Sequence, residues 1–121
     1  MLLVSDPTSD LPAAHTEAEV VATAVRAWGS RWSLRPLDGP QARAEAVLAA
    51  LTGTHLFHYA GHGIFAGFAG WDSALPLADD SRLTLGDILA LRPAPAWVVL
   101  SSCDAGRSSD QAPVEGIGLA N

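Results

Sequence analysis

The chain has 121 residues, 49% of them apolar and 17% charged, with a formal net charge of −6. That length bounds it at one domain with a buried core, and no apolar run nears the roughly 20 residues of a membrane-spanning helix. Its basic residues are seven scattered arginines (26, 31, 35, 43, 82, 92 and 107) with no lysine, which excludes a clustered cationic face for nucleic acid and the lysine of a Walker phosphate loop.

Residues 1–5 form a short apolar run ended by Asp6-Pro7, as expected of a buried strand stopped at a proline. The run is too short for a secretory signal, so the expectation is a soluble cytoplasmic protein. Asp10-Leu11-Pro12 breaks the chain before a helix. Thr16 is its expected cap, with Glu19 closing a capping box. Val21, Val25, Trp28 and Trp32 lie along one stripe of that helix, and Gly29 marks its end. Residues 33–37 read as a weak strand containing Pro36. Asp38-Gly39 turns the chain, and Pro40 suits a first helical position. Residues 41–51 read as a second helix with Ala44, Val47, Leu48 and Leu51 on one face, ended by Gly53.

Residues 55–60 read as a strand followed at once by Gly61-His62-Gly63. The connection 64–80 is expected to hold a small hairpin around residues 74–77. A helix over 83–91 is opened by Thr84 and closed before Pro93. Residues 96–101 read as the clearest buried strand of the chain, running into Ser102-Cys103-Asp104-Ala105-Gly106. A polar loop and a first helical turn at 116–121 complete the chain. Strands alternating with helices predict an α/β fold: a mainly parallel sheet with helices on both faces. Working residues in such sheets sit at the carboxyl ends of strands. His62 and Cys103, 41 positions apart, each follow a strand end, which places them on one edge of the sheet.

A lone cysteine beside a histidine is a candidate nucleophile; otherwise it is a small buried hydrophobe. A thiol near pKa ~8.5 is mostly protonated at neutral pH. An imidazole can take its proton and later return it to a leaving amine. The developing oxyanion needs preorganised donors, for which the backbone N–H groups of Gly63 and Cys103 are candidates. His58 and His62 are four apart, a metal spacing only on a helix; here they flank a strand end and no third ligand is evident, so neither a metal nor another cofactor is expected. His55 and His58 read as sheet residues and His15 as exposed, while Asp72, Asp79, Asp80 and Asp87 read as solvated loop or cap residues.

The segments LFHYAGHG at 56–63 and VVLSSCDAG at 98–106 together resemble the CHAT domain, a bacterial branch of the caspase-like cysteine peptidases related to separase. VSDP at 4–7 with Leu11-Pro12, and SALPLADD at 73–80, extend the resemblance over nearly the whole chain. It implies a three-layer caspase-haemoglobinase-like fold with His62 as base and Cys103 as nucleophile. It also implies protein or peptide substrates, and tetratricopeptide-type repeats as companions. Relatives in the wider clan often set their first specificity pocket with acidic residues, some with Asp two positions before the cysteine. Ser101 stands there in this chain, and Asp6 is the remaining acidic candidate for substrate binding.

In the family the chain continues past the cysteine loop through a helix and further strands. Residues 1–121 therefore read as a partial CHAT domain in which the C-terminal part of the sheet is missing and the cysteine strand is an exposed apolar edge. A fragment, a sheet completed by a partner chain, and an inactive remnant all accord with this. Three functions follow: a cysteine endopeptidase, a catalytically silent interaction module, and, more distantly, a flavodoxin-like nucleotide-binding domain. The last lacks a phosphate-cradling glycine loop after the first strand.

Overall fold

A computed structural model describes residues 1–102. Cys103, the loop after it and the expected helical turn at 116–121 lie outside the described residues. Four parallel strands make the main sheet: β1 (Leu2–Ser5), β2 (Arg35–Asp38), β3 (Leu56–Ala60) and β6 (Trp97–Ser101), in the order β2-β1-β3-β6. Helices α1 (Pro12–Ala27), α2 (Ala44–Leu51) and α3 (Leu85–Ala90) connect them, and an antiparallel pair, β4 (Ala74–Pro76) with β5 (Arg82–Thr84), lies in the β3–β6 crossover. Parallel neighbours require such crossovers.

Alternation along the strands separates two cores. Leu2, Val4, Phe57 and Tyr59 point to one face, where Val47, Ala50 and Leu51 of α2 and Leu75, Leu77 and Leu83 of the hairpin region cover them. Leu3 points to the other and meets Ala18 and Ala22 of α1. The layers are helix, sheet, helix, the expected α/β arrangement of a parallel sheet covered on both faces.

Several expectations shift in detail. Helix α1 begins at Pro12, whose fixed φ and missing N–H suit the first turn. Thr16 is inside the helix and donates from Oγ1 to the Pro12 carbonyl at 3.1 Å. The sheet-facing stripe is Ala14, Ala18, Ala22 and Val25. Small side chains let the helix lie close to the sheet, so Trp28 and Trp32 fall outside the contact and pack edge-on against each other, ring centroids 5.4 Å apart. Pro36 is tolerated because β2 is an edge strand.

The capping box expected at Thr16 occurs instead at α3, where Asp87 N–H donates to Thr84 Oγ1 at 3.1 Å and Thr84 N–H to Asp87 Oδ2 at 2.9 Å. Leu83, expected in that helix, belongs to β5. Strand β6, expected to be buried, is exposed at Trp97 (71%), Val98 (51%) and Val99 (44%). Its apolar run lies at the edge of the described sheet.

Leu2 is fully buried in the larger core, whereas Val20 on the outer side of α1 is 66% exposed. Leu2→Ala is expected to lower unfolding stability by about 2–5 kcal/mol, and Val20→Ala to change it by less than about 0.5 kcal/mol. Urea denaturation of the two variants measures the difference.

Candidate active site

The site edge is formed by the carboxyl ends of β1, β3 and β6. Strands β3 and β6 pair in register from Leu56 with Trp97 to Ala60 with Ser101. Past the last pair, Gly61 N–H donates to the Ser101 carbonyl at 3.1 Å. His62 and Ser102 therefore leave adjacent parallel strands at the same end. Cys103 follows Ser102 directly in the chain but is itself outside the described residues.

The turn carrying His62 rests on Tyr59. The buried Tyr59 hydroxyl lies 2.8 Å from the carbonyl oxygens of both His62 and Pro76, which share its single proton. Burial, and then the negative charge of Asp6, push the phenol pKa upward, so Tyr59 stays a donor. A Cβ on Gly61 would stand 2.7 Å from the Tyr59 hydroxyl oxygen, a contact that real Cβ atoms do not make. Glycine is required there for close approach rather than for a special φ. Gly63, half-buried, follows His62 directly past the end of β3.

The loop after β1 supplies His62 with a carboxylate. Asp6, at φ 39°, donates its N–H to the Ala60 carbonyl at 2.9 Å. Its Oδ1 accepts from the N–H groups of Asp10 at 3.1 Å and Leu11 at 2.9 Å. The loop is thereby tied to the end of β3. Asp10 Oδ1 accepts from the Thr8 hydroxyl and lies 3.1 Å from His62 Nε2. The Thr8 hydrogen bond, and then the charge and hydrogen bond of His62, hold the Asp10 carboxyl below its ordinary range.

A second carboxylate joins the strands behind the site. Glu17 of α1 places Oε1 2.9 Å from His58 Nε2, while its Oε2 accepts from Ser101 Oγ at 2.6 Å. The His58 side chain is 9% exposed and that of Glu17 34%. One carboxylate thus clamps helix α1 to β3 and to the end of the strand that leads to Cys103. Ser101 and Asp6, expected to meet substrate, border the site, each with polar atoms already engaged within the protein.

Neither Asp10 nor Glu17 stands out by motif. For Glu17 the signal is positional: it falls beside Ala14 and Ala18 on the sheet-facing stripe of α1, where a carboxylate needs a buried partner. Asp10 reads only as a chain-breaking residue, because its partner is 52 positions away. His58 and His62 engage different carboxylates, and no group of three or more potential metal ligands occurs among the described residues. His55 is exposed just ahead of β3, and His15 is exposed on α1. No helix among the described residues is long and apolar enough to cross a membrane.

The family model of the CHAT domain matches residues 2–121. The chain belongs to the CHAT domain family. CHAT domains are caspase-like and related to cysteine peptidases, in agreement with the helix–sheet–helix layering and the parallel sheet seen here. No curated protein and no solved structure matches the chain.

Replacing Glu17 by Ala leaves the His58 imidazole and the Ser101 hydroxyl without their acceptor. It is expected to cost about 1–3 kcal/mol of stability. Glu17→Gln, whose amide oxygen can still accept from Ser101, is expected to cost less. Thermal and urea unfolding of the pair give the order.

Proposed function

We propose that this CHAT domain is a cysteine endopeptidase acting on partner proteins or peptides through a His62/Cys103 dyad. The observation that supports it is the parallel pairing of β3 and β6, which sends His62 and the segment leading to Cys103 from the same sheet edge. In this reading His62 takes the thiol proton of Cys103, and the thiolate sulfur attacks the substrate carbonyl carbon. The resulting oxyanion accepts hydrogen bonds from the backbone N–H groups of Gly63 and Cys103. The C–N bond then breaks, His62 returns its proton to the leaving amine, and an acyl-thioester remains on Cys103. Water, deprotonated by His62, hydrolyses the thioester and restores the thiol. Neither a metal nor a cofactor takes part.

Substrate contacts at Asp6 and Ser101 belong to the same proposal, with the carboxylate of Glu17 adding negative charge behind Ser101. So do a cytoplasmic setting and accompanying tetratricopeptide-type repeats. A second reading, a silent interaction module, draws on the exposed apolar edge at Trp97, Val98 and Val99, which a partner chain could cover by extending the sheet. The nucleotide-binding reading has less support. The loop after β1 presents the carboxylates of Asp6 and Asp10, which repel phosphate.

Dye-labelled casein serves as a generic reporter. Cys103→Ala and His62→Ala are each expected to abolish its cleavage, and cleavage retained in either variant would overturn the dyad. Iodoacetamide alkylation separates the two readings without a substrate. An activated Cys103 reacts faster at neutral pH than free cysteine, whereas in a silent module it reacts no faster.

A further inference from the structure

We infer that Asp10 is a positioning residue of this site: its carboxylate holds the proton of the neutral His62 imidazole on Nε2 and leaves Nδ1 as the atom that receives the thiol proton. The inference rests on the peptidase reading above and extends the dyad by a third group.

Three features of the geometry carry it. First, Asp10 Oδ1 stands 3.1 Å from Nε2, and an ionised carboxylate only accepts hydrogen bonds. Nε2 must therefore be the protonated nitrogen, which assigns the lone pair of the neutral ring to Nδ1. Second, both partners are anchored to the same strand end. Asp10 is held through its N–H on Asp6 Oδ1, and Asp6 through its own N–H on the Ala60 carbonyl. His62 follows Ala60 by two residues, with its carbonyl on the Tyr59 hydroxyl. The distance between carboxylate and ring is thus set by a short closed circuit rather than by two free side chains. Third, the carboxylate is oriented independently of the histidine, because the Thr8 hydroxyl donates to the same Oδ1.

The chemical consequence appears when the thiol proton moves. Cys103 becomes a thiolate and His62 an imidazolium, and the new positive charge lies against the Asp10 carboxylate. The pair is hydrated, with side chains 44% and 62% exposed, so solvent screens it. The effect should fall well short of the roughly 10⁴-fold loss that follows when the buried aspartate of a serine-protease triad is replaced by asparagine.

The test uses the full chain and two probes that need no substrate: the rate of iodoacetamide alkylation of Cys103 at neutral pH, and the ¹⁵N NMR shifts of the His62 ring, which report its tautomer. In the parent protein the neutral ring is expected as the Nε2–H tautomer. Asp10→Ala and the near-isosteric Asp10→Asn are expected to slow alkylation about tenfold and to shift the ring toward the Nδ1–H form. Asp10→Glu should recover part of both. A merely structural role for Asp10 would leave the tautomer unmoved. If His62→Ala slows alkylation but both neutral Asp10 variants keep the parent tautomer and a rate within about twofold, the inference is overturned and the dyad stands. If His62→Ala leaves alkylation unchanged, the dyad itself falls and takes this inference with it.

Discussion

The site depends on the in-register parallel pairing of β3 with β6. Each strand continues past its last pair into a short turn, and the Gly61 N–H bond to the Ser101 carbonyl extends the ladder by one rung. That rung sets where His62 leaves the sheet relative to Ser102. Slipping the register by one residue would turn Tyr59 away from the core and the His62 carbonyl, and His58 away from Glu17. The buried side chains resist such a slip. Leu2, Val4 and Tyr59 are each wholly excluded from solvent on the face that α2 covers. The core on one face thus determines the geometry at the edge.

Around this ladder, three histidines each meet a carboxylate, and their burial separates their roles. His58 and Glu17 lie between helix and sheet, where an unpaired polar group would be costly, so their contact acts as a clamp. His15 and Asp38 meet at 3.3 Å on the surface. The Asp38 hydrogen bond and charge raise the His15 pKa, though a hydrated contact of this kind adds little to stability. His62 and Asp10 are also hydrated, but both belong to backbone segments fixed by other hydrogen bonds.

Tyr59 links the core to the edge. Its ring fills the larger core and its hydroxyl reaches the His62 carbonyl. Gly61 lies against that ring so closely that no Cβ fits. The sequence Tyr59-Ala60-Gly61-His62 is therefore one mechanical unit, in which the aromatic anchor, the missing side chain and the backbone of His62 depend on one another. Glu17 performs a comparable service on the other face by reaching Ser101 from helix α1.

Local chemistry made much of this legible from residues alone. Apolar runs ending at Pro7, Gly61 and Ser102 identify the strands, Thr84 opens its helix, and His62 and Cys103 announce themselves by following strand ends. Residues that act through distant partners were not legible. Asp10 reads as a loop residue and Glu17 as one acid on a helix, because their histidines are 52 and 41 positions away. Helix α1 likewise looked as if it packed through its large residues, yet its alanines touch the sheet, since close approach favours small side chains there. The exposure of β6 follows from its place in the strand order rather than from its composition. By itself, the sequence determined the alternation of elements and singled out His62 and Cys103 as the candidate pair, because these follow from near-neighbour sterics and side-chain type. Only the tertiary structure decided which carboxylate serves which histidine, because that pairing depends on how a loop and a helix close over a sheet assembled from distant segments.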